Sequence, residues 1–365
     1  GVTASRVTDL EVVDYVEAID WTRPLEIVQR IVDLHASGYI DGVIANDEFG
    51  LLPAAIATSR LGIPGPSLRG VHNTRDKFHM RRALEQAGLN QVRYAVCRGL
   101  ADAQAFLSTI HGPIIVKPVT GTGSEGVSRV ETAEELAAAY KTATSAVGSM
   151  GILCEEFIDG PEVSLEGYCV DGRFVAVALT DKLTDEHFLE TGHQQPTAHP
   201  QSVIDAAAAI AAQSLPLLGI DNAVTHTEFR VSATRGPVLI ETHTRMGGDQ
   251  IHVLTRLTTG VDLADLMVAF SIGETVDAHP AGQGRGAAIR FSTGRPGRVR
   301  AVQLPPRTAH SGIEAVFTPS IGRQFSGLSA SRERQAYVIA SAPTPELAGA
   351  SAESFLSQVQ VSYFE

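Results

Sequence analysis

The sequence predicts a mixed α/β protein of two or three packed lobes. Three observations carry that expectation. The chain has 365 residues, beyond the size at which one hydrophobic core keeps growing, and an apolar fraction of 44% supplies ample core material. Short apolar, strand-like runs are separated by alanine-rich helical stretches such as Ala206 to Leu215. A glycine-rich loop joins two such strands in the first half of the chain. No internal repeat or low-complexity tract breaks the pattern.

From the N-terminus, Asp41 to Ala45 reads as a strand, Pro53 to Arg60 as a helix, and Pro64-Gly65-Pro66-Ser67 closes a first α/β unit over residues 1–91. A small lobe over 92–158 follows. Within it, Pro113 to Pro118 is a short apolar strand carrying Lys117, followed by Gly121-Thr122-Gly123-Ser124-Glu125-Gly126 and a second strand from Val127 to Val130. Glycines let backbone N–H groups wrap phosphate oxygens, and Lys117 offers a point charge. The lysine precedes the glycines, so the loop is not a GxxxxGK[ST] phosphate loop, and no helix opens at the third glycine as a dinucleotide fingerprint requires. Taken alone, a glycine-rich turn without a ligand reads equally well. Thr132 to Ala143 is a helix with a capping box, Thr132 as N-cap and Glu135 three positions on. In the remaining lobe, 159–365, the polar stretch Thr184 to Pro200 reads as a mobile loop that orders over substrate.

The densest chemistry lies in a hairpin. Alternation over VTHTEFRVS puts His226, Glu228 and Arg230 on one face. After a turn through Ala233 to Pro237, the run Val238 to Ile240 leads into Glu241 and His243, which share a face. A two-residue loop sets Glu228 opposite Glu241 with Cβ atoms about 5 Å apart, where like charges repel unless a positive group lies between them. Oxygen ligands at that spacing suit Mg²⁺ or Mn²⁺. A one-residue slip breaks the pairing. On the hairpin alone, a solvated pair of surface glutamates reads equally well.

The segment Leu153-Cys154-Glu155-Glu156-Phe157-Ile158-Asp159-Gly160-Pro161-Glu162 resembles the hinge of the ATP-grasp superfamily of carboxylate ligases, whose pattern is EE-[FY]-I-x-G-x-E. The resemblance implies an ATP-grasp fold with a Rossmann-like N-terminal domain, a small ATP lid and a larger C-terminal lobe. It also implies that Glu155 and the backbone of Glu156, Phe157 and Ile158 hold adenine, and that Glu162 meets the ribose hydroxyls. Asp76 to Leu84 looks like the family's helix that delivers a first nucleotide lysine, here Lys77. With Lys117, Gly121, Gly123, Ser124 and Gly126, these residues form the expected ATP site, and Lys182 is placed to reach the γ-phosphate, though a solvated lysine is the commoner case. The family's opening strand is missing before Gly1, which implies a chain that starts inside that first domain.

Within the superfamily, Phe188-Leu189-Glu190-Thr191-Gly192-His193, Ile289-Arg290-Phe291 and the tail segment Gln335 to Ala340 look most like the L-amino-acid ligases, which join two amino acids. By resemblance Glu190 and His193 line the amino-acid site, Arg245 contacts the transferred phosphate or reacting carboxylate, Gly247-Gly248 admits substrate closely, Asp249 shapes specificity, and Arg290 belongs to the substrate region. The family commonly reads E-x-N-x-R where this chain reads Glu241-Thr242-His243-Thr244-Arg245, so a histidine stands in a metal ligand's place. Imidazole suits Mn²⁺ better than Mg²⁺. Glu228, Glu241 and His243 are thus the expected metal residues. The expected function is ATP-dependent ligation of a carboxylate and an amine through an acyl phosphate, with Lys117, Glu190, His193 and Arg245 as catalytic residues and a homodimer by family habit. Carboxylation, acyl-CoA formation and a non-catalytic nucleotide sensor are the rivals.

A net charge of −12 argues against a nucleic-acid partner. No run of about 18 apolar residues and no signal-type segment is visible, which predicts a cytoplasmic protein without membrane contact. Cys97, Cys154 and Cys169 are odd in number and widely spaced, so neither a disulfide framework nor a CxxC metal site is expected, only buried thiols.

Overall fold

Four helices make up the N-terminal unit: α1 (Pro24–Ala36), α2 (Glu48–Leu61), α3 (Leu68–Arg75) and α4 (Lys77–Gln86). The structure, a computed structural model, describes residues 15–121, 123–147, 151–185, 189–307, 310–327 and 331–364. Thr122 of the glycine loop, Phe188 of the substrate segment and residues 1–14 lie outside the described residues. The strand expected at Asp41 to Ala45 is not formed. No neighbour pairs with that segment among the described residues, and Ala45 packs instead with Leu51, Ala55 and Val71. The described N-terminal unit is therefore helical. Helix α2 begins five residues before the expected Pro53, because the Asp47 carboxylate caps it by accepting from Phe49 N–H at 2.8 Å. Gly62 ends it in the left-handed conformation at φ 66°.

The lid is a four-stranded antiparallel sheet in the order β1 (Tyr94–Cys97), β4 (Ile152–Glu156), β2 (Ile114–Pro118), β3 (Ser128–Val130), with α5 (Leu100–Thr109) and α6 (Ala133–Val147) between its strands. One end of the capping box is visible at α6, where Glu135 accepts from the Thr132 N–H at 3.2 Å. Leu136, Ala139 and Ala143 bury the inner face of α6 against Ile114, Val116, Val130 and Cys154.

The large lobe is an eight-stranded antiparallel sheet. Its strands are β5 (Glu162–Val170), β6 (Arg173–Thr184), β7 (Glu190–Gln195), β8 (Ala223–Ser232), β9 (Gly236–His243), β10 (Gly286–Thr293), β12 (Ile313–Phe317) and β14 (Arg334–Ala342), in the order β12-β14-β10-β7-β6-β5-β8-β9. A small sheet of β13 (Gln324–Phe325), β11 (Gly297–Gln303) and β15 (Gln360–Tyr363) sits beside it. Helices α7 (Gln201–Leu218), α8 (Ile251–Thr259), α9 (Leu263–Ile272) and α10 (Pro345–Leu356) cover the sheets. The main core joins Ala207, Ala211, Leu215 and Leu218 of α7 to Val163, Leu165, Phe229 and Leu239 of the sheet and to Met80 and Leu84 of α4. Helix α7 is long and apolar enough to cross a membrane by length and composition. Its alanine–leucine stripe is instead buried on the sheet, as a core helix requires. All three cysteines are free and buried.

The expected loop from Thr184 to Pro200 contains strand β7, paired with β6 on one side and β10 on the other. Its polar composition concealed a satisfied interior. The Gln195 side chain donates to the hydroxyls of Thr180 at 2.7 Å and Thr255 at 3.1 Å, and its carbonyl accepts from Thr258 at 3.0 Å.

Candidate active site

The β8–β9 hairpin places Glu228 opposite Glu241 and His226 opposite His243. It does so by a different route from the two-residue loop that the sequence suggested. Ser232 pairs with Gly236, leaving a three-residue loop with Gly236 at φ 71°, and a bulge between the Glu228 and Phe229 pairs absorbs the offset. The extra residue, Ile240, lines the cleft beside Glu241. Because β9 is the sheet edge, carbonyls at the bulge need donors from elsewhere. Arg81 of α4 supplies them, bonding Leu239 O and Ile240 O at 2.9 Å each.

The same guanidinium reaches the Glu155 carboxylate at 2.6 Å, and Lys117 Nζ meets its other oxygen at 2.6 Å. Burial opposes the charge on Glu155, but Arg81 and then Lys117 outweigh it and hold the carboxyl down at about 2. Glu155 is thus a buried brace between lid strand β4 and helix α4. Its side chain is committed to these cations, and the N–H groups of Glu156 and Phe157 are given to the carbonyls of Arg93 and Pro113, so the adenine contacts expected of this stretch are not all available. Glu155 to Ile158 nonetheless line a cleft between lid and large lobe. The cleft is also lined by Lys77, Lys117, Gly121, Gly123, Ser124, Glu162, Glu228 and Glu241. Gly123 and Ser124 both take left-handed backbone, at φ 64° and 56°. Gly126 does not line it: a Cβ there meets Ala146 and Pro118, so that glycine serves packing inside the lid. Phe157 forms one wall, with the Arg129 and Arg230 guanidinium groups 4.5 and 5.1 Å from its ring centre.

A second cavity, of about 180 Å³, opens on the other side of Glu228 and Glu241. It is lined by Lys182, Glu190, His193, His226, His243, Arg245, Gly248, Asp249, Ser331 and Arg334. Lys182 therefore lies on this side rather than in the cleft between lid and large lobe; its ammonium is held by Glu162 at 2.5 Å and Glu228 at 2.8 Å. His193 Nε2 faces Asp249 at 3.2 Å, and Arg334 pairs with both Asp249 oxygens at 2.7 and 2.5 Å. Arg334 also lies over the Phe291 ring at 4.0 Å. Arg245 is tied by Nε to Glu48 at 3.1 Å. Arg290 is a correction: it lines a separate cleft with Glu353, and its guanidinium is used by Glu353 at 2.7 Å, His193 O at 3.2 Å and the Gln194 carbonyl at 3.1 Å. It supports strand β7 from behind. Gly248 lines the cavity, whereas a Cβ on Gly247 falls 2.7 Å from His226 Nδ1, so Gly247 makes room for an imidazole.

Glu228 and Glu241 carry the electrostatics of the junction. Burial and their mutual repulsion oppose ionisation, yet Lys182 and His226 beside Glu228, and Lys77 and His243 beside Glu241, hold both carboxyls well below the usual range. The same contacts raise Lys77 and Lys182, despite burial. Two ionised, hard-oxygen groups side by side on neighbouring strands, lining both cavities, are the donor type that a divalent cation takes alongside phosphate oxygens, so the pair fits Mg²⁺. Among the described residues no group of three or more His, Cys, Asp or Glu side chains closes on a common point. His243, the third expected metal residue, has its Nδ1 facing Glu48 at 3.1 Å and its Nε2 facing Glu241 at 3.4 Å.

Sequence reasoning missed Arg81, Glu48 and Arg334. Arg81 lies four residues after Lys77 and so on the same helix face, a signal that was present. Glu48 and Arg334 reach the site from chain segments remote from it, and no local pattern marks them.

Comparison with known proteins fits this geometry. Residues 110–253 match the ATP-grasp domain. The chain thus contains an ATP-grasp domain. Residues 290–363 of the same chain match the L-amino acid ligase C-terminal domain 2. It is 28% identical over 265 residues to alanine–anticapsin ligase of Bacillus subtilis, covering 67% of this chain and 56% of that protein. The chain thus spans just over half the length of that relative. D-alanine–D-alanine ligase of Cupriavidus necator is 25% identical over 270 residues, 69% of this chain and 81% of that protein. The fold matches the crystal structure of L-amino acid ligase from Bacillus licheniformis at a TM-score of 0.79 and 22% identity, over 93% of this chain and 84% of that one.

Proposed function

We propose that this ATP-grasp chain is an ATP-dependent carboxylate–amine ligase that forms an amide bond through an acyl phosphate, with an amino acid as at least one substrate. The observation that carries the reading is the junction at Glu228 and Glu241. A cleft with nucleotide-binding features meets a small, charged cavity across these two carboxylates, so a γ-phosphate entering from one side is presented to a carboxylate lying in the other. The relatives named as alanine–anticapsin and D-alanine–D-alanine ligases, and the C-terminal match, support an amino-acid substrate. The cavity is small, about 180 Å³, which suits small substrates.

A carboxylate oxygen attacks the γ-phosphorus, and ADP leaves. Lys77 and Lys117 neutralise charge that spreads over the transferred group, and Arg245 holds the reacting carboxylate. Glu155 occupies only one of the three donors on Lys117. The amine then attacks the acyl carbon, a tetrahedral intermediate collapses, and phosphate departs with the oxygen that came from the acid. His193, turned by Asp249, and Glu190 lie where the amine enters. The glycine loop lies over the junction, where Gly123 and Ser124 line both cavities, and shields the acyl phosphate from water. When bound, Mg²⁺ on Glu228 and Glu241 supplies charge neutralisation to the phosphates. A homodimer, by family habit, is part of the proposal and is checked by light scattering.

Oxygen-18 placed in the carboxylate of the acid substrate is expected to appear in the released phosphate, and its absence would rule out the acyl phosphate. Glu241→Gln is expected to lower turnover by orders of magnitude with an unchanged circular-dichroism spectrum. Near-normal turnover in that variant removes the metal role of the hairpin.

A further inference from the structure

The two carboxylates at the junction are each backed in the same way. His226 and His243 face each other on β8 and β9, with ring centres 6.1 Å apart and planes 25° from parallel. His226 Nε2 lies 3.2 Å from Glu228, and its Nδ1 lies 2.8 Å from Glu166, a carboxylate with no exposed surface. His243 Nε2 lies 3.4 Å from Glu241, and its Nδ1 lies 3.1 Å from Glu48, which is 7% exposed. A glutamate–imidazole–glutamate chain therefore passes through each strand of the hairpin, from Glu166 on β5 through His226 to Glu228 and from Glu48 on α2 through His243 to Glu241. Neither Glu48 nor Glu166 lines either cavity.

We propose that Glu48 and Glu166 are positioning residues of the ligase site, each fixing one imidazole against one junction carboxylate, so that His243 and His226 brace Glu241 and Glu228 and do not themselves bind the metal. This rests on the ligase reading for the identity of the site and adds the device that aims its carboxylates.

Three features favour bracing. Burying a carboxylate is costly even when it is paired, and Glu166 is buried with one oxygen, Oε2, lacking any hydrogen-bond partner; its place is explained by what it orients. Space has been cleared for the chain on one strand, because a Cβ on Gly247 falls 2.7 Å from His226 Nδ1 and 3.1 Å from Glu166 Oε2. On the other strand, Glu48 Oε2 also binds Arg245 Nε at 3.1 Å while Oε1 meets Arg75 at 3.4 Å. One carboxylate from the N-terminal unit thereby sets His243 and Arg245 together. The histidine that replaces the family's asparagine is matched by this partner rather than left to meet a metal.

The test uses the full-length protein with Mn²⁺ as the probe. Protein labelled with ¹⁵N-histidine is mixed with Mn²⁺ and ATP and examined by pulsed electron paramagnetic resonance. The expected spectrum has no coupling from a directly bonded histidine nitrogen; such a coupling, or no Mn²⁺ binding at all, overturns the proposal. In parallel, Glu166→Ala and Gly247→Ala are each expected to weaken Mn²⁺ binding in the presence of ATP by about tenfold, the usual scale for loss of a partner that orients a metal-binding group. Glu166→Gln, which still accepts a hydrogen bond from His226, is expected to recover most of the loss at an unchanged melting temperature. Equal losses in the Ala and Gln variants overturn the positioning role. These are binding measurements, so a protein that shows them without forming an amide would retain the proposal and lose only the ligase reading.

Discussion

Glu155 shows how much of this site is held by single buried charges. Its carboxyl is pulled from an ordinary 4.5 to about 2 because the guanidinium of Arg81 and the ammonium of Lys117 outweigh the cost of burial. A carboxyl whose pKa is depressed in the folded state contributes stability that is fully present above its unfolded value and is lost as pH falls through the folded one. Melting temperature is therefore expected to decline from about pH 4.5 towards pH 2, and the decline should be shallower in Glu155→Gln, measured by calorimetry across that range. Identical slopes would show that Glu155 is not a source of the acid sensitivity. At neutral pH, Glu155→Ala leaves two buried cations without their partner and is expected to cost about 3–5 kcal/mol, the scale seen when one member of a buried pair is removed.

The β8–β9 hairpin shows at the level of elements what sequence can and cannot specify. Period-two alternation correctly placed His226, Glu228 and Arg230 on one face, and the facing of Glu228 and Glu241 was legible from it. The loop length was not, since a three-residue loop with one bulge and a two-residue loop without one give the same partner for Glu228. The bulge is fixed by a tertiary contact: Arg81, from a helix more than a hundred and fifty positions away in sequence, bonds the carbonyls of Leu239 and Ile240. Strand β7 was illegible for a related reason, because its polar residues are satisfied by groups on other elements, as Gln195 is by Thr180 and Thr255. Arg81→Leu removes the donors for two carbonyls and one partner of Glu155 together. It is expected to destabilise the protein by about 3 kcal/mol or more, read as a shift in the urea midpoint. A change within about 0.5 kcal/mol, the scale of an ordinary surface substitution, would show that the bulge holds without it.

Across the whole molecule, the junction is assembled from every part of the chain. The N-terminal unit supplies Glu48 and Lys77, the lid supplies Lys117 and the glycine loop, the hairpin supplies Glu228 and Glu241, and the C-terminal segment supplies Arg334. Residues inside a compact motif, such as Glu155 to Glu162, were readable by resemblance, while Glu48 and Arg334 become visible only when distant segments meet. The same convergence makes the central claim testable on the intact chain. Phosphate release from Mg²⁺-ATP is measured with amino acids offered singly and in pairs, and products are weighed by mass spectrometry. The account predicts release that requires both an acid and an amine, with ADP formed and a product lighter by one water than their sum. ATP that binds and is never consumed by any pair, or is consumed equally without an amine, would contradict it.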